Sequence, residues 1–506
     1  MHFARFPASS LLLLLGSALC AAVASAAQTM AIGLTASGTP IEALIVDTRT
    51  QHAPVVVLVG GLHGDDASAA AVRSAVAAYE KQRSHPVQLL GIALANPNNV
   101  ALQFPATGEA YRENAESNVL WRWIGAHAPD LVLIAGDEDA GLASALSTQK
   151  VADMGSIPAH RWNGSLDELK QPISRSEARI EFERRMARSP RALAEGLVQY
   201  YGQQFDTHQY QEAMALISRV KLGQIDEVRK LVEPYVDGRK ESLTQRPGAG
   251  VMAAHTLYTE LARRTQDPRY IALVRKAADL GFEPSGQMKE AMPFHNGFSD
   301  SVFMGTAIVA QAGALTGERR YFDMADRHLR FMQNLDLRPD SLYRHEPGTN
   351  MAWGRGNAFV MLGLALVLTE LPKDHPGYQH ALQSYRTLIH TLLPLQDRDG
   401  LWRNVVNLPG TYAEFTATAI IGFALQRGLE KGWIQGRDYR HAVDQAWLAV
   451  NTRTSFNGTF IDVCESTARQ ASNEDYIKRK AILGADPRAG GMAMLFATER
   501  MDASRR

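Results

Sequence analysis

Cysteine is almost missing from this chain: 506 residues hold two, Cys20 and Cys464. Cys20 falls in a leader that the sequence marks for removal, so Cys464 is left without a partner and no intramolecular disulfide is available. Stability in an oxidising compartment must then come from a core. An excess of charge is missing too. Lys+Arg and Asp+Glu are both 53, which removes any general electrostatic case for nucleic acid or an anionic membrane surface. The apolar run opened by Leu11 to Leu15 is too short and too rich in Ala to favour a permanent membrane span. With 45% hydrophobic and 21% charged residues the composition excludes a disordered or collagen-like chain and fits a globular one.

The start of the chain reads as a secretory signal. Met1-His2-Phe3-Ala4-Arg5 is a short basic opening, an apolar run follows, and Ala24-Ser25-Ala26 is a small-residue cleavage site, so cleavage is expected after Ala26. Ser17-Ala18-Leu19 before Cys20 lacks the small residue that a lipoprotein signal wants there. Without the leader 52 basic residues face 53 acidic ones, since only Arg5 is lost. The expected destination is the bacterial periplasm or the extracellular space, with no integral membrane segment after cleavage.

The remaining length exceeds the ~250–300 residues at which single cores stop growing, so two domains are expected. Over 27–150 strand and helix patterns alternate. Val55 to Val59 is a continuous β-branched run ending at Gly60-Gly61, Leu89 to Leu94 and Leu131 to Ile134 look alike, and Ala67 to Arg83 and Ala115 to Ala126 read as helices. That alternation argues for a mostly parallel α/β sheet. Residues 151–195 are poorly patterned, with scattered Gly and Pro and a charged run from Arg175 to Arg188 that reads as a solvated helix or linker. Over 196–506 amphipathic segments come in pairs: Val251 to Thr265 with Tyr270 to Leu280, Val302 to Leu315 with Tyr321 to Leu335, Phe359 to Leu368 with Tyr378 to Leu393, and Thr416 to Leu429 with Tyr439 to Val450. Several second members open alike, as in Asp267-Pro268-Arg269-Tyr270 and His375-Pro376-Gly377-Tyr378. The repeat is a helical hairpin of about fifty residues. An open solenoid and a closed ring share that signature, and the Gly-rich loops with buried-looking aromatics favour a ring with a ligand pocket at one end.

The chemistry-bearing residues follow one another in that half. Phe298-Ser299-Asp300 precedes His345, then Trp353-Gly354-Arg355-Gly356-Asn357-Ala358-Phe359, then Gln396 to Trp402 and the Glu414 segment. An indole, a planar guanidinium fork and a carboxylate suit a small acidic ring-shaped ligand. From about residue 240 onward these motifs resemble the unsaturated glucuronyl and rhamnogalacturonyl hydrolases, glycoside hydrolase family 105 and its neighbour family 88, which are all-α (α/α)6 barrels. The resemblance implies hydration of the 4,5 double bond in the terminal unsaturated uronic acid left by a polysaccharide lyase, after which the hemiketal rearranges and frees the neighbouring sugar. The implied substrate is an oligosaccharide of pectin or rhamnogalacturonan type.

By the same residue-by-residue match, Asp300 is the catalytic acid and base. Phe298, His345, Trp353, Arg355, Asn357, Phe359, Trp402 and Glu414 line the sugar site, with Phe298 and Phe359 where the family usually has Trp. No cofactor is implied. Ordinary glycosidases set two carboxyl groups about the scissile bond, whereas one carboxyl suffices to protonate carbon 4 of a vinyl ether and then draw a proton from water attacking carbon 5. It must hold its proton for part of the time, which burial beside aromatic surface favours. Read without the resemblance, Asp300 is first of all a cap for the helix that follows, a role Ser299 would also fill. Asp397 and Asp399 read as turn residues. One departure stands out: where the family has a second acid, well before its catalytic Asp, this chain has Thr244-Gln245-Arg246-Pro247-Gly248-Ala249-Gly250, and the nearest acid is Glu241.

In the first half, Leu58-Val59-Gly60-Gly61-Leu62-His63-Gly64-Asp65-Asp66 resembles the zinc carboxypeptidase and succinylglutamate desuccinylase superfamily, in which a strand ends in a His-x-x-Glu pair of metal ligands. Asp66 replaces the Glu. Neither a third ligand nor a substrate-binding Arg is evident, and a hydrolytic zinc site needs three protein ligands and an open position. The expectation is a degenerate domain with His63 and Asp66 as its weak metal candidates. Three readings follow from the sequence: a secreted uronyl hydrolase, a zinc amidase or carboxypeptidase with a helical appendage, and a sugar-binding barrel without catalysis.

Overall fold

The computed structural model describes residues 27–151, 153–243 and 247–503. The leader expected over 1–26 lies outside the described residues, as do Thr244, Gln245 and Arg246 of the stretch lacking the second acid.

The described chain opens with a six-stranded sheet: β1 (Gln28–Leu34), β2 (Pro40–Val46), β3 (Val55–Val59), β4 (Gln88–Ile92), β5 (Leu131–Ile134) and β6 (Ala159–Arg161), in spatial order β1-β2-β4-β3-β5-β6. β4, β3, β5 and β6 run parallel, and β1 and β2 add an antiparallel pair at one side. Helices α1 (Ala67–Glu80), α2 (Ala115–His127) and α3 (Leu142–Thr148) connect the strands. Strand alternation divides the apolar run between two cores. Val55, Val57 and Val59 join Val132 and Ile134 under Val119, Leu120 and Ile124 of α2, while Val56, Leu58 and Leu133 face Val72, Val76 and Tyr79 of α1. A continuous β-branched run is what a strand covered on both faces requires, and burying each such side chain is worth roughly 1.5–3 kcal/mol.

The described residues of 151–195, a stretch expected as a linker, are part of the folded body. β6 pairs with β5 in parallel register, Val132 opposite Ala159, and three residues are too few to show a period. The charged run forms α4 (Glu177–Met186), which packs against the helical half. Its Arg185 is buried, with Nε donating to Glu181 at 2.8 Å and Nη1 to the Thr452 carbonyl at 3.2 Å. A long stem lets a charged residue bury while its head finds acceptors, so a charged run need not be a solvated one.

From α5 (Pro190–Val198) the chain is helical: α6 (Tyr210–Lys221), α7 (Ile225–Val236), α8 (Ala249–Ala254), α9 (Thr256–Thr265), α10 (Pro268–Ala278), α11 (Ser301–Thr316), α12 (Arg319–Asp336), α13 (Gly354–Glu370), α14 (Pro376–Leu392), α15 (Phe415–Glu430), α16 (Arg437–Thr452), α17 (Asn473–Ile477) and α18 (Pro487–Ala503). Two small strand pairs sit in its loops, β7 (Trp402–Arg403) with β8 (Ala413–Glu414), and β9 (Phe460–Cys464) with β10 (Ala481–Gly484). α6, α8 with α9, α11, α13, α15 and α18 touch in turn, and α18 returns to α6, so the hairpins close into a ring with the other long helices outside. Composition sorts the two layers. α11 is buried without interruption from Ser301 to Gly313, apolar all round as an inner helix must be, whereas α12 buries one stripe through Tyr321, Ala325, Leu329 and Met332. Gly363 allows α13 to lie on α11, since a β-carbon there would be 2.5 Å from the Val302 carbonyl oxygen. The loops leading into α11, α13, α15 and α18 gather at one end of the ring, and the α/β domain is bonded to that end through Arg122, Tyr111 and Lys478.

Candidate active site

Asp300 stands one residue before α11, in the capping position, yet its carboxylate makes no capping bond. Ser299 does not cap either: its Oγ is buried and unbonded. The capping reading therefore fails on geometry. Asp300 is 5% exposed and its Oδ1 has no partner. Burial pushes its carboxyl up to about 6, against the opposing pull of Arg355, Arg479 and Arg488. A carboxyl at that value holds its proton in roughly a tenth of molecules at neutral pH, which suits a group that must both give and take one.

His345 faces Asp300's loop, accepting the Ser299 amide on its carbonyl at 3.0 Å. Its ring stacks on Phe298 at 4.6 Å, meets Trp353 edge-on at 4.6 Å, and sets Nδ1 2.7 Å from the Tyr476 hydroxyl. Nε2 is buried and unbonded. Burial, with Arg479, Arg355 and Arg469 nearby, pulls the imidazole down to about 3, so it is neutral at any ordinary pH. The Trp353 ring carries two guanidinium groups, Arg355 at 4.7 Å and Arg479 at 4.6 Å; such contacts strengthen where water is excluded. Arg355 is fully buried. Its Nη1 donates to the Cys464 carbonyl at 2.5 Å and to Thr416 Oγ1 at 3.3 Å, its Nη2 donates to the Ser466 carbonyl, and only Nε is unbonded.

The site residues expected from the sequence thus divide. Phe298, Asp300, His345, Trp353 and Arg355 come together around unbonded polar atoms. Asn357, Phe359, Trp402 and Glu414, expected to line the sugar, are engaged within the protein. Asn357 bonds the Tyr343 amide at 2.8 Å and the Tyr343 carbonyl at 2.9 Å. Phe359 stacks on Phe303 at 5.7 Å in the barrel core. Trp402 Nε1 donates to the Leu392 carbonyl at 2.7 Å. Glu414 caps α15 through the Thr416 amide at 3.1 Å and the Ala417 amide at 2.5 Å, and also accepts the Cys464 amide at 2.9 Å. Each is a wall of the site, with no free group to offer a ligand. Asp397 takes the amides of Asp399 and Leu401 in its turn, as expected.

Three residues unforeseen in the sequence complete the surroundings. Tyr476 and Arg479 come from the segment between β9 and β10, and Arg488 opens α18. Arg479 is 3% exposed with Nη1 unbonded, and Arg488 donates to the Cys464 carbonyl at 3.0 Å while its Nε is unbonded. Only Arg488 carries a local signal, since Asp486-Pro487-Arg488 repeats the Asp267-Pro268-Arg269 helix opening with Pro in the first turn.

The His63 and Asp66 candidates are not brought into a metal set. Asp66 caps α1 through the Ser68 amide at 2.8 Å and the Ala69 amide at 3.1 Å, and His63 is half exposed beside Glu138 at 3.8 Å. Among the described residues no three His, Cys, Asp or Glu side chains gather where they could hold a metal ion.

A ring of helical hairpins with the buried carboxyl of Asp300 among arginines and aromatics at the loop end is the arrangement of an (α/α)6 glycoside hydrolase. The family model for Glycosyl Hydrolase Family 88 matches residues 194–503, and the chain belongs to that family. An unsaturated 3S-rhamnoglycuronyl hydrolase of Formosa agariphila is 35% identical over 100 residues, 19% of this chain and 26% of that protein. One of Alteromonas sp. is 25% identical over 173 residues, 32% of this chain and 42% of that protein. The chain thus spans less than half the length of these two curated relatives. An unsaturated rhamnogalacturonyl hydrolase of Bacillus subtilis is 24% identical over 305 residues, 56% of this chain and 85% of that protein. Among solved structures, a possible member of family GH105 from Salmonella enterica superposes with a TM-score of 0.52 at 19% identity, over 68% of this chain and 98% of that one. A family 105 glycoside hydrolase of C. acetobutylicum gives 0.50 at 17% identity, over 62% and 99%. These two superpositions establish the fold of the helical half.

Proposed function

We propose that the chain releases the terminal 4,5-unsaturated uronic acid from polysaccharide-lyase products by hydrating its double bond, and that it does so outside the cytoplasm after loss of the leader. The observation that carries this reading is Asp300, a buried carboxyl with Oδ1 unbonded, held up to about 6 amid arginines. Protonated, it delivers its proton to carbon 4, and positive charge develops at carbon 5 beside the ring oxygen. Ionised, it takes a proton from the water that attacks carbon 5, and the resulting hemiketal opens to release the neighbouring sugar. One carboxyl serves both steps, so the lack of an acid in the described part of Thr244–Gly250 does not block the reaction. The neutral His345 leaves the proton to Asp300, and the unbonded nitrogens of Arg355, Arg479 and Arg488 offer positive charge to a uronate carboxylate. The relatives' names support rhamnose-linked uronates as the substrate class, a rhamnogalacturonan-type disaccharide first among them. Loss of the enol-ether absorbance at roughly 235 nm, followed across pectin, rhamnogalacturonan, ulvan and glycosaminoglycan lyase digests, tests class and substrate together. Absence of turnover on every digest would sink the reading.

A further inference from the structure

Residues 465–480 leave the β9–β10 pair and cross the end of the barrel over Asp300. Their inner side bears on the site. Tyr476 Oη is 2.7 Å from His345 Nδ1, Arg479 lies 4.6 Å over Trp353, Asn473 Oδ1 accepts from Thr349 at 3.0 Å, and the Ser466 carbonyl accepts from Arg355. Trp353, Arg355 and His345 are fully buried beneath this excursion and its neighbours Val405 and Tyr412, so a sugar ring reaches them only when part of that cover is displaced.

Its other side is held by the α/β domain. Arg122 of α2, 8% exposed, donates from Nη1 to Asp462 Oδ1 at 2.6 Å and to the Ala481 carbonyl at 3.2 Å. Asp462 lies in β9 and Ala481 opens β10, so one guanidinium ties both roots of the excursion. Tyr111 adds a hydroxyl to Asp462 Oδ2 at 2.9 Å. Outer contacts reach the excursion itself: Arg112 with Asp475 at 3.3 Å, Lys478 with the Ala36 carbonyl at 2.7 Å, and Lys480 with Glu109 at 3.6 Å. The exposed pairs contribute little each. The buried Arg122–Asp462 pair is the strong one, because removing either partner leaves a charge uncompensated inside the protein.

We propose that the α/β domain is a positioning element for the Asp300 site, acting through Arg122. It fixes the roots of residues 465–480 so that the excursion closes over a bound sugar and returns Tyr476 to His345 and Arg479 to Trp353. The same clamp sets the β9 carbonyl of Cys464, on which Arg355 and Arg488 both depend. The kinetic part of this proposal rests on the uronyl hydrolase reading; the structural part does not.

The test uses the full chain with Arg122→Met, which loses both bonds, and Arg122→Lys, which keeps a charge for Asp462 and loses the Ala481 carbonyl. Arg122→Lys carries the test if Arg122→Met does not fold. Amide hydrogen exchange over 465–480 is expected to quicken about tenfold or more in either variant while α11 and α13 are unchanged. On an unsaturated uronyl disaccharide, KM should rise about tenfold, and the loss in Tyr476→Phe combined with Arg122→Lys should be smaller than the product of the single losses. Unchanged exchange over 465–480, or fully multiplicative losses, overturns the positioning role. A wild-type chain that turns over no unsaturated uronate removes the uronyl reading alone, since the exchange measurement still decides the clamp.

Discussion

Gly356 lies directly against the acid loop: a β-carbon on it would stand 2.9 Å from Ser299 Oγ, 3.2 Å from Trp353 Cε3 and 3.6 Å from Asp300 Oδ1. Gly356 belongs to the first turn of α13, where Ala would ordinarily favour the helix. Gly356→Ala is therefore expected to leave thermal stability near that of the parent while pushing on the acid loop and lowering kcat by ten- to a hundredfold, on the order of what a small misplacement of a catalytic group costs. Removing the nearest obstacle in Gly356→Ala with Ser299→Ala should recover much of that loss. Full activity of Gly356→Ala would show that the loop tolerates displacement.

Asp300→Asn keeps the shape and loses the proton chemistry, so turnover should fall about a hundredfold or more. The pH dependence has a definite sign. The carboxyl sits at about 6 in the folded chain against 3.8 when unfolded, so the folded state holds the extra proton between those values and stability declines as pH rises through that window. In Asp300→Asn that decline should shrink, making the variant relatively more stable at pH 7 than at pH 4. In the proposed reaction the protonated acid gives its proton to carbon 4, so kcat/KM of the parent should fall as pH rises above about 6. Flat activity from pH 5 to 8 would remove Asp300 as the acid.

Much of this was legible in residues and their spacing. The hairpins from Tyr270 to Val450 show their period because outer helices bury one stripe, and β3 shows itself because both its faces are covered. The segment Val251 to Thr265 reads as one helix but breaks at His255, whose Nδ1 turns back to the Val251 carbonyl at 3.0 Å. The site divides in the same way. Asp300 as cap and Asp300 as acid share one position, and only burial separates them. Glu414, capping α15, and Asn357, in the first turn of α13, are polar residues whose bonds close on the backbone, a fact no spacing reveals. Tyr476 and Arg479 act across more than a hundred residues of chain from segments with no period, so only the tertiary structure shows them.

A second unusual carboxyl is Asp336, at the end of α12. It is fully buried with neither oxygen bonded, and burial, reinforced by Asp300 and Glu346 against the pull of Arg344, pushes it up to about 8. It is thus protonated at neutral pH, and folding is penalised progressively as pH rises from the unfolded value of 3.8 toward 8. Asp336→Asn keeps a neutral side chain of the same shape and should be more stable than the parent at pH 8, with the advantage shrinking toward pH 4. Thermal melts of both proteins at the two pH values measure this. A parent that gains stability relative to the variant at alkaline pH would mean that Asp336 finds a cationic partner.

Arg355 was expected to grip the uronate, yet two of its three nitrogens serve the carbonyls of Cys464 and Ser466 and the hydroxyl of Thr416, with Glu414 at 3.9 Å. Arg355→Lys keeps the charge and cannot reach both carbonyls, and a buried carbonyl left unpaired costs about 1–3 kcal/mol. The substitution should therefore lower thermal stability by several degrees, a shift of the order that such a loss produces in a chain this long, as well as raise KM. Glu414→Gln separates the two roles, because Glu414 touches the site only through Arg355 and otherwise caps α15 and holds the Cys464 amide. Loss of its charge should reduce stability by about 1–2 kcal/mol and leave KM for the uronyl disaccharide within about threefold. If Glu414→Gln instead abolishes binding at unchanged stability, Glu414 faces the sugar, and the division drawn between site and wall is wrong.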